Sequence, residues 1–462
     1  MFDYIEKHYS RLYLLVFSID FLVLLSAALI AFRVNGNFGN NAEHLKYAYL
    51  GFIYSAIFVF ISQIMLFVNE LYSLEKKYQK KWLIFRCILS FSLVSVGLYF
   101  LLSNVMHYSN CFIISMIACG SILCWRLIFY WIVPKINIQQ RILFLGTDEL
   151  SRMAVREILA DDNPQFKVVG FVGDDPGLVG KRIANQKVLG TIEDLDVIIQ
   201  KEKVEKLIIS LPHDRKEFPA EDLIRCKFKG IEIMQLHTFY ERLRGKILID
   251  GLHPSWLIFA QGFKKNNWIK WEKRILDISL SLIGLLITLP ISLITALLIK
   301  LESDGPVIYQ QERVGDNGKV FRIFKFRSMR IDAEKDSGPI WAGENDPRIT
   351  QVGRFIRKVR IDEIPQMINV LKGDMSFVGP RPERPHFVEM LTNSIPYYNQ
   401  RHSVKPGITG WAAVNYSYGA SVEDAVQKLQ YDLYYIKNMS IFLDLVTILK
   451  TVATVCGRKG SR

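Results

Sequence analysis

The residues best suited to chemistry cluster between positions 318 and 444. Arg354, Arg357, Lys358 and Arg360 lie directly ahead of an acidic pair, Asp362-Glu363. Residues 318–330 (GKVFRIFKFRSMR) add Lys319, Arg322, Lys325, Arg327 and Arg330 with no acid, and from 321 to 327 the cations interleave with aromatics as on a strand. Val378-Gly379-Pro380-Arg381-Pro382 presents Arg381 on a stiff turn, and Lys405-Pro406-Gly407, Asp432 and Asp444 come later. This combination suits phosphoryl chemistry. A phosphoryl group and its leaving group are dense anions, which Arg and Lys neutralise as charge develops, and a hard divalent cation takes carboxylate oxygens. An ionised carboxylate can attack phosphorus and hold a covalent intermediate. Attack of an anion on an anion is feasible only inside a cationic pocket. Taken alone, an Asp-Glu pair is equally an ordinary helix start, and a basic run is a solvated face or a contact with anionic lipid. A nucleic-acid surface is disfavoured, because the stripe adjoins a long apolar block and no nucleic-acid motif occurs.

The elements that must position these groups can be read from pattern. Residues 363–371 read as a helix stopped by Lys372 and Gly373, with Pro365 tolerated in its first turn. Asp362 then stands at the positive end of the helix dipole, which keeps it ionised. Upstream, residues 278–299 are 22 uncharged residues with Pro290 near the middle. Both flanks are basic: Lys264, Lys265, Lys270, Lys273 and Arg274 before, Lys300 and Arg313 after. A helix that enters the bilayer, kinks at Pro290 and returns to the same face fits this charge pattern better than a fifth span. A fifth span would carry residues 301–462 to the far side, away from cytoplasmic nucleotides. Residues 441–455 are apolar and suit either a membrane-surface helix or a core helix.

The remainder of the 462 residues is organised to match. There are 58 Lys and Arg against 45 Asp and Glu, a net charge of +13, and half the residues are hydrophobic, which excludes disorder as the main state. Apolar stretches at about 12–32, 47–68, 82–102 and 111–133 each approach the ~20 residues of a spanning helix. Lys7, Arg11, Lys76, Lys77, Lys80, Lys81, Lys135 and Arg141 place both termini of this four-helix bundle on the cytoplasmic side. Arg86 and Arg126 are expected to snorkel to headgroups, and Asp20 to be paired within the bundle. Residues 141–263 alternate strands (141–146, 167–172, 206–210) with helices (151–159, 222–229), a Rossmann-like α/β module. Only Gly146 comes after its first strand, so the G-x-G-x-x-G fingerprint of a dinucleotide site is missing and a role in folding or dimerisation is the better reading. Six cysteines without zinc or CxxC spacing exclude a structural zinc or disulfide framework, and no cleavable signal peptide is apparent.

Residues 362–366 (DEIPQ) through 369–382 (NVLKGDMSFVGPRP), together with 315–329, 405–411 (KPGITGW) and 431–438 (YDLYYIKN), closely resemble the signature of bacterial polyprenyl-phosphate sugar-1-phosphate transferases. The likeness runs over about 271–454. With four N-terminal helices and a Rossmann-like module, the chain looks like the large members, and residues 418–438 look like those that prime exopolysaccharide synthesis in exosortase-associated systems. The resemblance implies a membrane phosphoglycosyl transferase with three parts: transmembrane helices in 1–136, the α/β module in 137–263, and an α-rich catalytic domain in 264–462 with a re-entrant helix at about 275–300 kinked at Pro290. It implies transfer of a sugar 1-phosphate from a UDP-sugar to undecaprenyl phosphate with release of UMP, at the cytoplasmic face of the bacterial inner membrane. By motif, Asp362 matches the nucleophile and Glu363 its partner, the two also being the implied Mg²⁺ ligands. Lys325, Arg357 and Arg381 match residues around the phosphates, and Asp432 and Asp444 match later acids of the core. Some relatives carry Ser-Pro at the helix break, where this chain has Leu289-Pro290, with Thr288 a candidate donor to the freed backbone. UDP-sugar, undecaprenyl phosphate, the lipid bilayer and a second copy of the chain are the expected partners, and nucleic acid is not one. The competing readings are a membrane glycosyltransferase that releases UDP and a non-enzymatic membrane scaffold or sensor.

Overall fold

The computed structural model describes residues 11–35, 53, 55–66, 80–102, 108–132, 139–160, 166–211, 218–263, 267–331, 333, 346–416, 419 and 421–456. The chain divides into two compact units, Met1–Leu243 and Arg244–Arg462.

The first unit begins with helices α1 (Arg11–Asn35), α2 (Ser55–Leu66), α3 (Lys80–Leu102) and α4 (Tyr108–Ile132). They share a core that includes Leu24, Phe58, Leu66, Phe91, Val94 and Ile122, while Leu22, Phe60 and Met116 face outward. An apolar exterior around an apolar core is the pattern of a lipid-facing bundle. Phe112–Phe129, within α4, is long and apolar enough to cross a membrane. Asp20 is fully buried and pairs with Arg126, as expected of a carboxylate inside such a bundle. That pairing overturns the expectation for Arg126: it is itself 0% exposed and does not snorkel. A guanidinium whose counter-ion lies in the bundle interior gains more from that ion than from the interface. Lys7, Lys76, Lys77 and Lys135 lie outside the described residues.

The α/β part of this unit contains β1 (Gln140–Leu145), α5 (Glu149–Ala160), β2 (Phe166–Gly173), β3 (Arg182–Ile183), β4 (Gln186–Thr191), α6 (Leu195–Glu202), β5 (Lys206–Ile209), α7 (Ala220–Phe228), β6 (Glu232–Gln235) and α8 (Leu236–Arg244). The sheet order is β3-β4-β2-β1-β5-β6, parallel except for the β3–β4 pair. Ile142 to Leu145 are all fully buried, the mark of a parallel strand covered on both faces. Alternation sends Leu143 and Leu145 into a core with Leu195, Ile199 and Leu223, and Phe144 against Phe171 and Phe239. After β1, Gly146 takes φ 119°, and a Cβ there would meet the Ser210 carbonyl oxygen at 2.0 Å. Asp148 then caps α5, accepting from Ser210 Oγ at 2.7 Å and Ser151 N at 3.2 Å.

In the second unit, residues 244–263 pack against later segments of the chain: Trp411 Nε1 donates to the Gly245 carbonyl and Phe263 N to that of Lys437. After α9 (Pro254–Phe259) comes α10 (Asn267–Glu302), which carries Pro290 in its interior. Its middle is bare hydrocarbon: Leu286, Ile287, Leu293 and Ile294 are 60–73% exposed. Thr288 Oγ1 donates to the Gly284 carbonyl, so it does not serve the Leu286 carbonyl that Pro290 cannot. Both ends of α10 are fastened to one body. At the first end Arg274 caps the carbonyls of Val370 and Leu371, and Asp277 accepts from Ser376 Oγ and Phe377 N. At the last end Ile299 packs with Phe326 and Ile356, and Glu302 accepts from the backbone of Gln351 and Val352. That body comprises the antiparallel hairpin β7 (Ile308–Val314) and β8 (Val320–Phe326), α11 (Gln351–Lys358), α12 (Gln366–Lys372), the parallel pair β9 (Ser376–Val378) and β10 (Gly407–Thr409), α13 (Pro385–Ser394), α14 (Trp411–Asn415), α15 (Val422–Lys437) and α16 (Ile441–Cys456). On α16, Leu443, Val446 and Thr447 are buried and Leu445 and Val452 exposed, so one face is core.

Candidate active site

The acidic pair sits on a short reversal between two helices. Thr350 caps α11 through Gly353 N, and the helix ends at Lys358. Arg360 then takes the left-handed conformation (φ 60°), which only a few per cent of non-glycine residues adopt. The next turn, Ile361–Glu363, is a single 3₁₀ turn that buries both carboxylates, Asp362 at 8% and Glu363 at 9% exposure. The expected helix from 363 therefore begins only at Gln366, because the left-handed step at Arg360 and the missing N–H of Pro365 separate the acidic turn from α12. Gly373, at φ 93°, ends α12 as its position after Lys372 foretells.

Glu363 collects three cations on one oxygen. Its Oε1 lies 2.8 Å from Arg381 Nη2, 3.3 Å from Lys325 Nζ and 3.6 Å from Arg360 Nη1. Burial works against its charge, but Arg381, Lys325 and Arg360 together hold the carboxyl well below the usual carboxylate range. Asp362 is driven the other way. Burial, and then the Glu363 charge beside it, raise its pKa, with Lys325, Arg360 and Arg381 opposing. Its Oδ1 is buried without a hydrogen-bond partner. Lys325 in turn is pushed down by burial, with Glu363 opposing. Two adjacent acids are thus split: one fixes the cations, and the other is left desolvated with a free oxygen beside them.

Arg381 is held by a turn whose carbonyls are almost all occupied. The Val378 carbonyl accepts from Lys273 Nζ at 2.9 Å, Ser376 Oγ at 3.0 Å and Tyr435 OH at 3.1 Å. The Pro380 and Glu383 carbonyls accept from Gly407 N and Val314 N, both at 2.9 Å. Those of Arg381 and Pro382 accept from Arg401 Nη2 at 2.9 Å and Arg313 Nη1 at 3.0 Å. At Gly379 a Cβ would meet the Lys405 carbonyl oxygen at 2.4 Å, so only glycine fits.

The two later acids belong to this scaffold. Asp432, 2% exposed, pairs with Arg401 at 2.9 Å, and burial lifts its pKa to about 6 against that partner. Asp444, 1% exposed, accepts from Lys273 and Tyr435 OH, each at 2.7 Å, and burial raises it too. The structure thus gathers Asp362, Glu363, Lys325 and Arg381, and places Asp432 and Asp444 behind the Arg381 turn. Arg357 is set apart as well: it lies near Asp346, which is held low mainly by its hydrogen bond to Arg348. Arg360 is the arginine of this run that meets Glu363, and its abutment to the acidic pair was the signal for it. Lys273, Arg401 and Tyr435 carry no local signal, because their partners are 31 to 171 residues away or on the next helix.

Among the described residues no cluster of three or more His, Cys, Asp or Glu could hold a metal by itself. Asp362 and Glu363 nonetheless fit Mg²⁺, which commonly binds through one or two carboxylates and completes its shell with substrate phosphates and water. Both carboxylates are buried on one 3₁₀ turn, which sets them side by side for such an ion.

Residues 268–458 match the family described as bacterial sugar transferase, and residues 68–217 match one described as a CoA-binding domain. The described part of that second stretch does not fit a phosphate-bearing cofactor at the usual place after the first strand. Asp148 puts a carboxylate where a phosphate would sit, and Ser210 closes on Gly146. The chain is 44% identical over 240 residues to a UDP-N-acetylgalactosamine-undecaprenyl-phosphate N-acetylgalactosaminephosphotransferase of Aeromonas hydrophila, a match covering 52% of this chain and 56% of that one. It is 32% identical over 324 residues to an undecaprenyl-phosphate glucose phosphotransferase of Komagataeibacter xylinus, covering 68% and 59%. It is 59% identical over 129 residues to a putative undecaprenyl-phosphate N-acetylgalactosaminyl 1-phosphate transferase of Bacillus subtilis (strain 168), covering 28% and 72%. The chain thus spans little more than half the length of the first two relatives and nearly three quarters of the third. The match over 268–458 takes in the whole acidic turn, the Lys325 strand and the Arg381 turn, and on these grounds the chain belongs to the bacterial sugar transferase family.

Proposed function

We propose that this chain transfers a sugar 1-phosphate from a UDP-sugar to undecaprenyl phosphate, releasing UMP, as the first membrane step of exopolysaccharide synthesis. The observation that carries the proposal is the pairing of a buried carboxylate oxygen without a partner, on Asp362, with a neighbour that holds Lys325, Arg360 and Arg381 in place. Asp362 attacks the β-phosphorus and carries the phosphosugar as an aspartyl ester, which the lipid phosphate then takes over. Lys325 and Arg381 bind and neutralise the diphosphate, and Glu363 keeps them aimed. Because the Arg381 turn is fastened on successive carbonyls, little reorganisation is needed as charge builds on the leaving phosphate. Asp432 and Asp444 act as positioning residues, through Arg401 and Lys273. Asp362 and Glu363 would hold Mg²⁺, which would supply further charge neutralisation at the diphosphate.

The same proposal covers the setting. Residues 1–136 form four membrane helices, 137–243 an α/β module that supports a homodimer, and 244–462 the catalytic domain on the cytoplasmic face of the inner membrane, residues 244–263 being packed on it. Helix α10 is re-entrant at Pro290. Its bare middle suits lipid, and the ties of both its ends to one polar body favour a single side of the bilayer. The purified chain in nanodiscs, given undecaprenyl phosphate and UDP-glucose or UDP-N-acetylgalactosamine, is expected to release UMP and to gain a phosphosugar mass on Asp362. Asp362→Asn is expected to fold and to lose at least 10³-fold in UMP release. Release of UDP, or parental turnover by a folded Asp362→Asn, rejects the proposal.

A further inference from the structure

We propose that Gln366 is a further catalytic residue whose side-chain amide donates to a phosphoryl oxygen of the sugar phosphate while Asp362 attacks and carries it. This inference rests on the role given to Asp362 above and adds a donor to it. Gln366 opens α12 four residues after Asp362 and, like it, is buried, at 2% exposure. Its Nε2 is buried without a hydrogen-bond partner, the donor counterpart of the unpartnered Asp362 Oδ1. Asn369, the next buried polar residue along α12, has a different job. Its Oδ1 accepts from Phe324 N at 2.9 Å and its Nδ2 donates to the Arg322 carbonyl at 2.8 Å, fastening α12 to β8, the strand that brings Lys325. Gln366 fastens nothing through its amide nitrogen. A buried donor left unmade is destabilising, so such groups need an explanation, and here an acceptor that arrives with substrate supplies it.

A phosphoryl group on Asp362 satisfies both orphans. A lone pair of Oδ1 forms the new O–P bond at the β-phosphorus, the bond to the bridging oxygen breaks, and its electron pair leaves with UMP. No proton moves. A non-bridging oxygen of the bound phosphosugar receives the Gln366 Nε2–H. In the return step an oxygen of the lipid phosphate attacks the same phosphorus, and Asp362 leaves as a carboxylate. The negative charge shared by the equatorial oxygens in each transition state is what the amide stabilises.

The test monitors the first half-reaction in the full chain in nanodiscs, with UDP-sugar and no acceptor, reading single-turnover UMP release, the mass gain on Asp362 and the melting temperature. Gln366→Leu keeps the volume and removes the orphan, so the melting temperature is expected to hold or rise. The burst is expected to slow about 10²-fold with little change in KM. Gln366→Glu is expected to recover rate as the pH falls, relative to wild type, because only the protonated carboxyl can donate. A Leu variant that forms the adduct at the parental rate, or slows only together with a fall in melting temperature, overturns the proposal. So does a Glu variant that keeps the wild-type pH profile. A wild-type chain that forms no adduct on Asp362 while releasing UMP instead removes the underlying reading of Asp362.

Discussion

At the scale of single residues, the site works by separating two neighbouring acids. Glu363 is kept ionised by three cations, and Asp362 is left desolvated beside them. Asp432 offers a test of how such buried charge is held. Its carboxyl titrates at about 6 in the fold, against about 3.9 in an unfolded chain. A raised carboxyl pKa means that the folded state binds the proton more tightly. This group therefore favours folding below about pH 4, and the contribution is lost as the pH rises to about 6, a swing on the order of 3 kcal/mol. Asp432→Asn cannot titrate. The melting-temperature difference, wild type minus variant, is expected to fall between pH 4 and 6 and to stay level above that. A difference that stays flat from pH 4 to 7 contradicts the assignment. Lys325, Asp362, Glu363 and Arg381 were legible because their types and local spacing already state the chemistry. That Arg360 would meet Glu363 was not legible in helical spacing, because a left-handed residue breaks that spacing between it and Arg357.

At the scale of elements, the chain spends its long-range ion pairs on holding turns. Lys273 on α10 and Asp444 on α16 meet beneath β9, both turned toward the Val378 carbonyl or its donors. Breaking a buried pair leaves one charge uncompensated, at a cost of ~3–5 kcal/mol, whereas replacing both by apolar groups is often far milder. Lys273→Met and Asp444→Leu are each expected to lower the melting temperature more than the double variant does. A double-mutant cycle by thermal unfolding should give a coupling above ~1 kcal/mol. Simple additivity would show the pair to be incidental. The elements themselves were well marked in sequence: β1 by its uninterrupted apolar run, α12 by Lys372-Gly373, the Arg381 turn by its prolines. Their mutual bracing was not, because a buried Asp and an exposed one look alike until the partner from a distant segment is known.

At the scale of the whole molecule, the fastening of α10 sets the expected topology. Both ends of α10 are bonded to the same catalytic body, so a label placed after residue 462 is expected to react from the cytoplasmic side in intact cells and only after lysis with an impermeant reagent. Labelling from the periplasm would make α10 a fifth crossing. The ion pair between Asp20 and Arg126 bears on how the molecule is made. The acid is synthesised 106 residues before its partner, an interval of roughly 5–20 s at ~5–20 residues per second. For that time the first helix holds a carboxylate that has yet to meet the guanidinium it faces in the fold. Final seating of the bundle is therefore tied to the arrival of the last helix, and a chain cut short before Arg126 is a natural substrate for membrane quality control.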